Sequence, residues 1–350
     1  MPRLQEEGSG PLRGFWLSTV GSGRPTETGT IHEPTGLDLA MKLHYIKAVY
    51  IYSAEIASDL TVMHVKGTFF PVFNQIPWIT GRLRRSSSGR PFIKCNDCGT
   101  RFVESQCDLT VDEWLRVQDR SVDESLVYHQ PVGPDLAYSP LIYIQMTRFK
   151  CGGIALGLSW AHIMGDPFSL SHFFNLWTRA FAGEEVYSTK TSDWRRGFRK
   201  PNSTGKKEPG SIKRINPIGD LWVIPNKSKM STCEVEEIVK CIGEATDERS
   251  EIDETGERDD GVLDFIVYGA KLTFVDLSEV DFYDAKIKKT SPLSVYCNVQ
   301  GIGDDGAVVV FPAADREERV VTVTLPEDEV EKVQCELRKC GLITSLVNGE

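Results

Sequence analysis

Apolar and polar positions fall into two rhythms around the middle of this chain. Positions 141–149 (Leu-Ile-Tyr-Ile-Gln-Met-Thr-Arg-Phe) alternate apolar and polar and predict a half-buried strand. Positions 154–161 form an apolar run bounded by Gly152 and Gly153, which predicts a second, more buried strand. The two are expected to pair through the Cys151-Gly152-Gly153 turn. The period then lengthens: Leu170, Phe173, Phe174, Trp177 and Phe181 recur at helical spacing until Gly183. Pro167 suits the first helical position, with Asp166 as its cap.

Upstream, positions 37–43 lead into a β-branched and aromatic strand at 48–52. Asp59 is placed to cap a helix in which Leu60, Met63, His64, Phe69 and Phe70 recur, and which Pro71 ends or kinks. Gly81-Arg82-Leu83-Arg84 and a Ser/Gly turn precede strands at 91–94 and 100–103. Downstream the pattern is mostly β, at 262–267, 270–277, 293–299, 307–311 and 319–324. A last helix opens at Pro326, with Val330, Val333 and Leu337 on one face and Lys339 and Gly341 near its end.

Two breaks interrupt this order. Residues 193–216 are rich in Gly, Pro, Ser, Lys and Arg and read as a connection between domains. Residues 243–261 are acidic with little to bury and read as a solvated loop or a poor helix. The chain is therefore expected to be a two-domain α/β (α+β) protein. Its parts are a disordered start at 1–14, a first domain at 15–192, a crossover linker at 193–218 and a second domain at 219–350.

Composition narrows the picture. At 350 residues, 40% hydrophobic and 26% charged, the chain is long enough for two cores. A net charge of −10 argues against general binding of nucleic acid, which needs a basic surface. The start carries Glu6 and Glu7 where a secretory leader is positively charged. No apolar run reaches the roughly 18 residues of a membrane span, so no transmembrane segment is expected. Nine cysteines in such a chain read as reduced cytosolic thiols rather than a disulfide framework, and a cytoplasmic monomer is expected.

Three motifs bear on chemistry. Cys95, Cys98 and Cys107 supply three possible zinc ligands without a fourth at suitable spacing, so no metal is expected. Residues 301–306 satisfy Gly-x-Gly-x-x-Gly, but a strand follows and Asp304 and Asp305 would repel a pyrophosphate; they read as a hairpin turn. His162, four residues before Asp166, stands where the buried strand runs into the helix, and histidine titrates near working pH. Two readings stand side by side: a general base on a turn supported by Asp166, or a satisfied core histidine beside a plain helix cap.

The residues also resemble a known family. His162-Ile163-Met164-Gly165-Asp166 looks like the His-x-x-x-Asp motif of the BAHD plant acyl-CoA-dependent acyltransferases, and Phe149-Lys150-Cys151-Gly152-Gly153 with Leu156-Gly157 looks like its lead-in. Leu37-Asp38, Val49-Tyr50, Phe70-Pro71, Gly81-Arg82-Leu83, Cys95-Asn96-Asp97 and Phe102-Val103-Glu104 extend the resemblance over most of 15–183. Gly219 to Pro225, Asp264 to Ala270 and Leu272 to Val275 resemble the Eceriferum branch more narrowly. The resemblance implies a two-domain chloramphenicol-acetyltransferase-like fold facing a central channel, with the second domain incomplete. It implies His162 as general base, Asp166 as structural support of the loop through an ion pair, acyl-CoA as co-substrate and no permanently bound cofactor. The basic connection at 193–216 would lie near the phosphates of coenzyme A or simply be solvated.

The branch implies a role in very-long-chain fatty acid elongation and cuticular wax formation. The chain would then be a factor associated with a condensing enzyme of the fatty-acid elongase, peripheral at the endoplasmic reticulum. The alternatives are a soluble O- or N-acyltransferase using His162, and a non-functional splice product. Three departures bear on this choice. Asp281-Phe282-Tyr283-Asp284-Ala285 stands where the family has Asp-Phe-Gly-Trp-Gly; Pro167 replaces the usual Gly; and the stretch from Cys233 to Gly261 is much shorter than the family's.

Overall fold

A computed structural model describes residues 10–57, 60–117, 120–133, 135–186, 215–216, 221–224, 255–257, 263–266, 273–300, 305–314 and 319–324, with 332, 333 and 335. Its strands are β1 (Leu12–Val20), β2 (Ile31–His32), β3 (Tyr45–Tyr52), β4 (Arg82–Arg85), β5 (Pro91–Lys94), β6 (Thr100–Cys107), β7 (Ile142–Phe149), β8 (Ile154–Ala161), β9 (Ile215–Asn216), β10 (Leu221–Ile224), β11 (Thr255–Glu257), β12 (Leu263–Ile266), β13 (Thr273–Asp276), β14 (Ser294–Gln300), β15 (Asp305–Pro312) and β16 (Arg319–Thr324). Its helices are α1 (Gly36–Ala40), α2 (Ala54–Ala57), α3 (Val62–Gln75), α4 (Val111–Leu115) and α5 (Pro167–Phe181).

The chain divides into two compact units. The first holds Met1–Val117, Val122–Asn202 and Asp281–Gln300 and is built on a sheet of order β1-β6-β7-β8-β3-β14, with a small β2-β5-β4 sheet beside it. Apart from 215 and 216 the expected linker at 193–218 lies outside the described residues, and β14 returns to the first sheet, antiparallel to β3 from Ser294↔Ile51 to Gln300↔Tyr45. The second unit carries the order β10-β16-β15-β13, with β9 also on β15. β14 and β15 belong to different sheets and do not pair as the expected hairpin would require, and 301–304 lie outside the described residues. The flanking strands find their partners elsewhere.

The β7–β8 hairpin lies where its rhythm predicts, turning at Gly152 with φ 90°. All eight residues of β8 are buried, as a strand with neighbours on both edges and both faces requires. β7 departs from the half-buried expectation: Gln145 and Thr147 are buried too. The Gln145 amide nitrogen and the Thr147 hydroxyl find partners inside, Gln145 Nε2 donating to Thr147 Oγ1 at 3.0 Å and to the Ser125 carbonyl at 3.3 Å. A polar face meant for water has been covered by the segment that follows Arg120.

That segment passes so close to β8 that a Cβ at Gly157 would run into the Leu126 carbonyl, so no larger residue fits there. The other face of the sheet is covered by α3 and α5. Phe69 of α3 stacks on Trp177 of α5 with ring centroids 4.9 Å apart, and Phe73 and Phe173 lie parallel at 6.3 Å. All four rings are fully buried, each stabilising by roughly 2 kcal/mol or more through area removed from water.

Several expected boundaries move. β1 begins at Leu12, inside the stretch expected to be disordered, because pairing with β6 from Leu12↔Cys107 gives its backbone partners. The cap of α3 is Thr61, whose hydroxyl accepts from the His64 N–H at 3.2 Å, rather than Asp59, which lies outside the described residues. α3 runs through Pro71 to Gln75, and its buried side is Val65, Phe69, Val72 and Phe73, while Met63 and Phe70 face outward. In the acidic stretch, Thr255–Glu257 is a strand on β12. The basic residues of 193–214 and nearly all of the last helix lie outside the described residues.

Candidate functional site

His162 follows β8 without a break and opens a single 3-10 turn, His162–Met164. Its N–H donates to the His44 carbonyl at 2.9 Å, one rung beyond the last β3–β8 pair, Tyr45↔Ala161. The ladder of the sheet therefore fixes its backbone. The turn closes with the Gly165 N–H on the His162 carbonyl at 3.0 Å, and the Trp160 indole donates to the Gly165 carbonyl at 3.0 Å. Asp166 caps α5: its Oδ1 accepts from the Ser169 N–H and hydroxyl, both at 2.8 Å. The expected ion pair of Asp166 is not found among the described residues; the carboxylate supports the loop as a cap.

Gly165 joins these two devices. Its φ of 140° suits glycine, and a Cβ there would meet Ser169 Oγ at 2.6 Å and Ser169 Cβ at 2.7 Å. Gly165→Ala is expected to lose about 2–4 kcal/mol, combining backbone strain with a displaced cap, read as a lower urea midpoint. An unchanged midpoint would show that the turn rearranges freely.

His162 is only 6% exposed, and its Nδ1 meets no hydrogen-bond partner of good geometry among the described residues. Burial pulls its pKa below the ordinary value; its own backbone carbonyl and the charges of Asp166 and Asp38 pull the other way without winning. The ring is thus neutral at physiological pH, the form a proton acceptor needs.

The polar row beneath the covering segment left little trace in the sequence. Thr19, Arg101, Tyr143, Ser159, Lys47 and Asn298 are successive register partners across the six strands of the first sheet. Over this row, Glu124 accepts from Lys47 at 2.9 Å, Tyr296 and Asn298 at 3.0 Å, and Gln300 at 2.7 Å. His129 Nδ1 lies 2.8 Å from Ser159 Oγ, and burial together with the Lys47 charge pushes His129 down to about 4. The one available signal was a lysine inside an apolar strand.

The candidate zinc residues do different work. Cys95 is buried with its thiol pushed up to about 11 by that burial, and Cys98 is exposed. Asp97 accepts from Ser22, the Thr26 N–H and the Thr26 hydroxyl, each at 2.7 Å. Among the described residues no three His, Cys, Asp or Glu side chains gather to hold a metal.

With this geometry in view, the likeness to known proteins is direct. A profile described as the Transferase family matches residues 35–235. The chain is 59% identical to protein Eceriferum 26-like of Arabidopsis thaliana, over 99% of this chain and 100% of the relative. It belongs to the BAHD acyltransferase family, in the Eceriferum branch. The fold agrees: vinorine synthase superposes with a TM-score of 0.66 at 15% identity, covering 95% of this chain and 99% of the other. F. sporotrichioides TRI101, solved with coenzyme A and T-2, superposes with a TM-score of 0.59 at 13% identity, covering 89% and 98%. The architecture is the two-domain chloramphenicol-acetyltransferase-like fold.

The BAHD member in hand is shorter than its relative inside the chain. The alignment takes 424 positions against 350 residues here and spans the relative completely, so at least 74 positions of it have no counterpart. The departing segment Asp281 to Ala285 has a structural task. Phe282 and Tyr283 are buried, Tyr52 donates to the Ala285 carbonyl at 2.7 Å, and Asn175 of α5 donates to the Asp281 carbonyl at 3.1 Å. It ties the approach to β14 onto β3 and α5. Among the described residues, no helix is long and apolar enough to cross a membrane.

Proposed function

We propose that this BAHD chain acts in very-long-chain acyl elongation leading to cuticular wax, as a factor associated with a condensing enzyme of the fatty-acid elongase at the endoplasmic reticulum. The observation that carries this reading is the likeness to protein Eceriferum 26-like, 59% identical from end to end. The packing of Asp281 to Ala285 as a tie within the first unit agrees with it, since that segment serves the fold without the family's Gly-Trp-Gly. The test is a wax-free eukaryotic host expressing a plant elongase condensing enzyme, with acyl chains measured by gas chromatography. Adding this chain is expected to lengthen the acyl products, and adding its His162→Ala variant is expected to lengthen them as well. Products unchanged by either version would sink the elongation reading.

A second reading is favoured by the geometry of His162. A neutral, buried imidazole held on a rigid turn suits a general base that takes the proton of an alcohol or amine as it attacks the thioester carbonyl of an acyl-CoA. TRI101 was solved in complex with coenzyme A, which supports acyl-CoA as co-substrate here. In the elongation host, longer products with the wild type alone would favour this reading over the first.

A further inference from the structure

A second carboxylate is built into the His162 corner. α1 packs against the His162–Met164 turn and opens with a reciprocal cap. Asp38 Oδ2 accepts from the Thr35 N–H and the Thr35 hydroxyl, each at 2.7 Å, while Thr35 Oγ1 accepts from the Asp38 N–H at 3.2 Å. The carboxylate is thereby fixed on a rigid element. The turn from α1 to β3 contributes Lys42 and His44, and the His44 carbonyl holds the His162 N–H. Asp166, fixed on Ser169, caps α5. Two anchored carboxylates, one on α1 and one capping α5, therefore act on one buried ring.

We propose that Asp38 is a positioning residue for His162, its anchored charge joining that of Asp166 to stabilise the imidazolium formed when the ring takes a proton. This rests on the second reading above. In that step the acceptor O–H or N–H bond breaks as its heteroatom bonds to the thioester carbon, and the proton goes to the ring. The carbon–sulfur bond then breaks, and the departing thiolate of coenzyme A takes the proton back. The ring is cationic only between these events, when a buried imidazolium is costly in the absence of nearby negative charge. The charges of Asp166 and Asp38 both act in the required direction on His162.

The test separates charge from cap. Asn at position 38 keeps an oxygen for Thr35 but loses the charge, Glu keeps both, and Ala loses both. The side-chain nitrogens of His162 are followed by NMR across pH, with His162→Gln for assignment. In Asp38→Asn the protonation constant of His162 is expected to fall about threefold to tenfold while the melting temperature stays close to wild type. Asp38→Glu is expected to restore the wild-type titration. Matching titrations in wild type and Asp38→Asn, including a ring neutral in both down to acid unfolding, would overturn the proposal and leave Asp38 a helix cap. Turnover of acyl-CoA is measured on the same samples: a shifted titration with no turnover in any of them removes the base reading and leaves the field of Asp38 standing.

Discussion

Glu124→Ala is expected to cost about 1–3 kcal/mol of stability, the cost of leaving buried polar partners without their acceptor in a partly buried ion pair. The Lys47 side chain is 10% exposed and would be left as a buried cation without its carboxylate. Tyr296, Asn298 and Gln300 of β14 would lose the same acceptor. Among the described residues β14 pairs with β3 alone, so these side-chain bonds add to the one ladder that holds it. Hydrogen exchange should therefore show the β14 amides opening before those of β7 and β8. A variant whose urea midpoint and β14 protection match wild type would show that the cluster is ornamental.

The same carboxylate sets a pH dependence. Burial pushes the Glu124 pKa up, but the Lys47 charge and the bonds from Lys47, Asn298 and Gln300 outweigh it and hold the group below its ordinary value. A carboxylate depressed in the folded state contributes stability that is complete above its unfolded pKa and is lost as pH falls through its folded pKa. Wild-type stability should thus decline from about pH 4.5 downward. Glu124→Gln keeps the shape and one acceptor oxygen, so it should lose less stability than Ala at neutral pH and show a flatter acid decline.

How much of this was legible depended on where each group's partners lie in the chain. The β7–β8 hairpin and α5 were readable because their partners are a few residues away: an apolar run, a Gly turn, Asp166 and Pro167. His162 was placed correctly at the strand end for the same reason, since β8 sets its register. Other features are settled by residues distant in sequence, and period alone could not reveal them. Gln145 reads as solvent-facing until the Ser125 carbonyl, 20 residues away, arrives over it. Gln300 reads as an ordinary strand end until Glu124, 176 residues upstream, accepts from it. The assignment of Asp281 to Gln300 to the first unit has the same cause, because β14 is fixed by pairing with β3 rather than by its neighbours in the chain. The cap of α3 was a local matter that propensity left open: Thr61 and Asp59 both suit an N-cap, and the geometry of the first turn chose Thr61.

His162→Leu separates the two readings of the histidine. A core histidine kept for structure has its polar atoms satisfied, and removing it should lower stability by about 1–3 kcal/mol. Here Nδ1 is buried and meets no partner of good geometry among the described residues, so an apolar side chain of similar size should leave the melting temperature unchanged or slightly raised. Under the base reading, the same substitution lowers acyl transfer from acyl-CoA to an alcohol acceptor by about 100- to 10,000-fold, followed as release of free thiol. An unaltered fold with transfer lost would mean the ring is retained at a cost in desolvated polar surface because a reaction uses it. Stability and transfer falling together would make His162 a packing residue, and transfer untouched by the substitution would end the base reading. The site's geometry favours the first outcome: the β3–β8 ladder, the Trp160 indole and the Asp166 cap all fix the backbone of the turn, and none of them uses the imidazole.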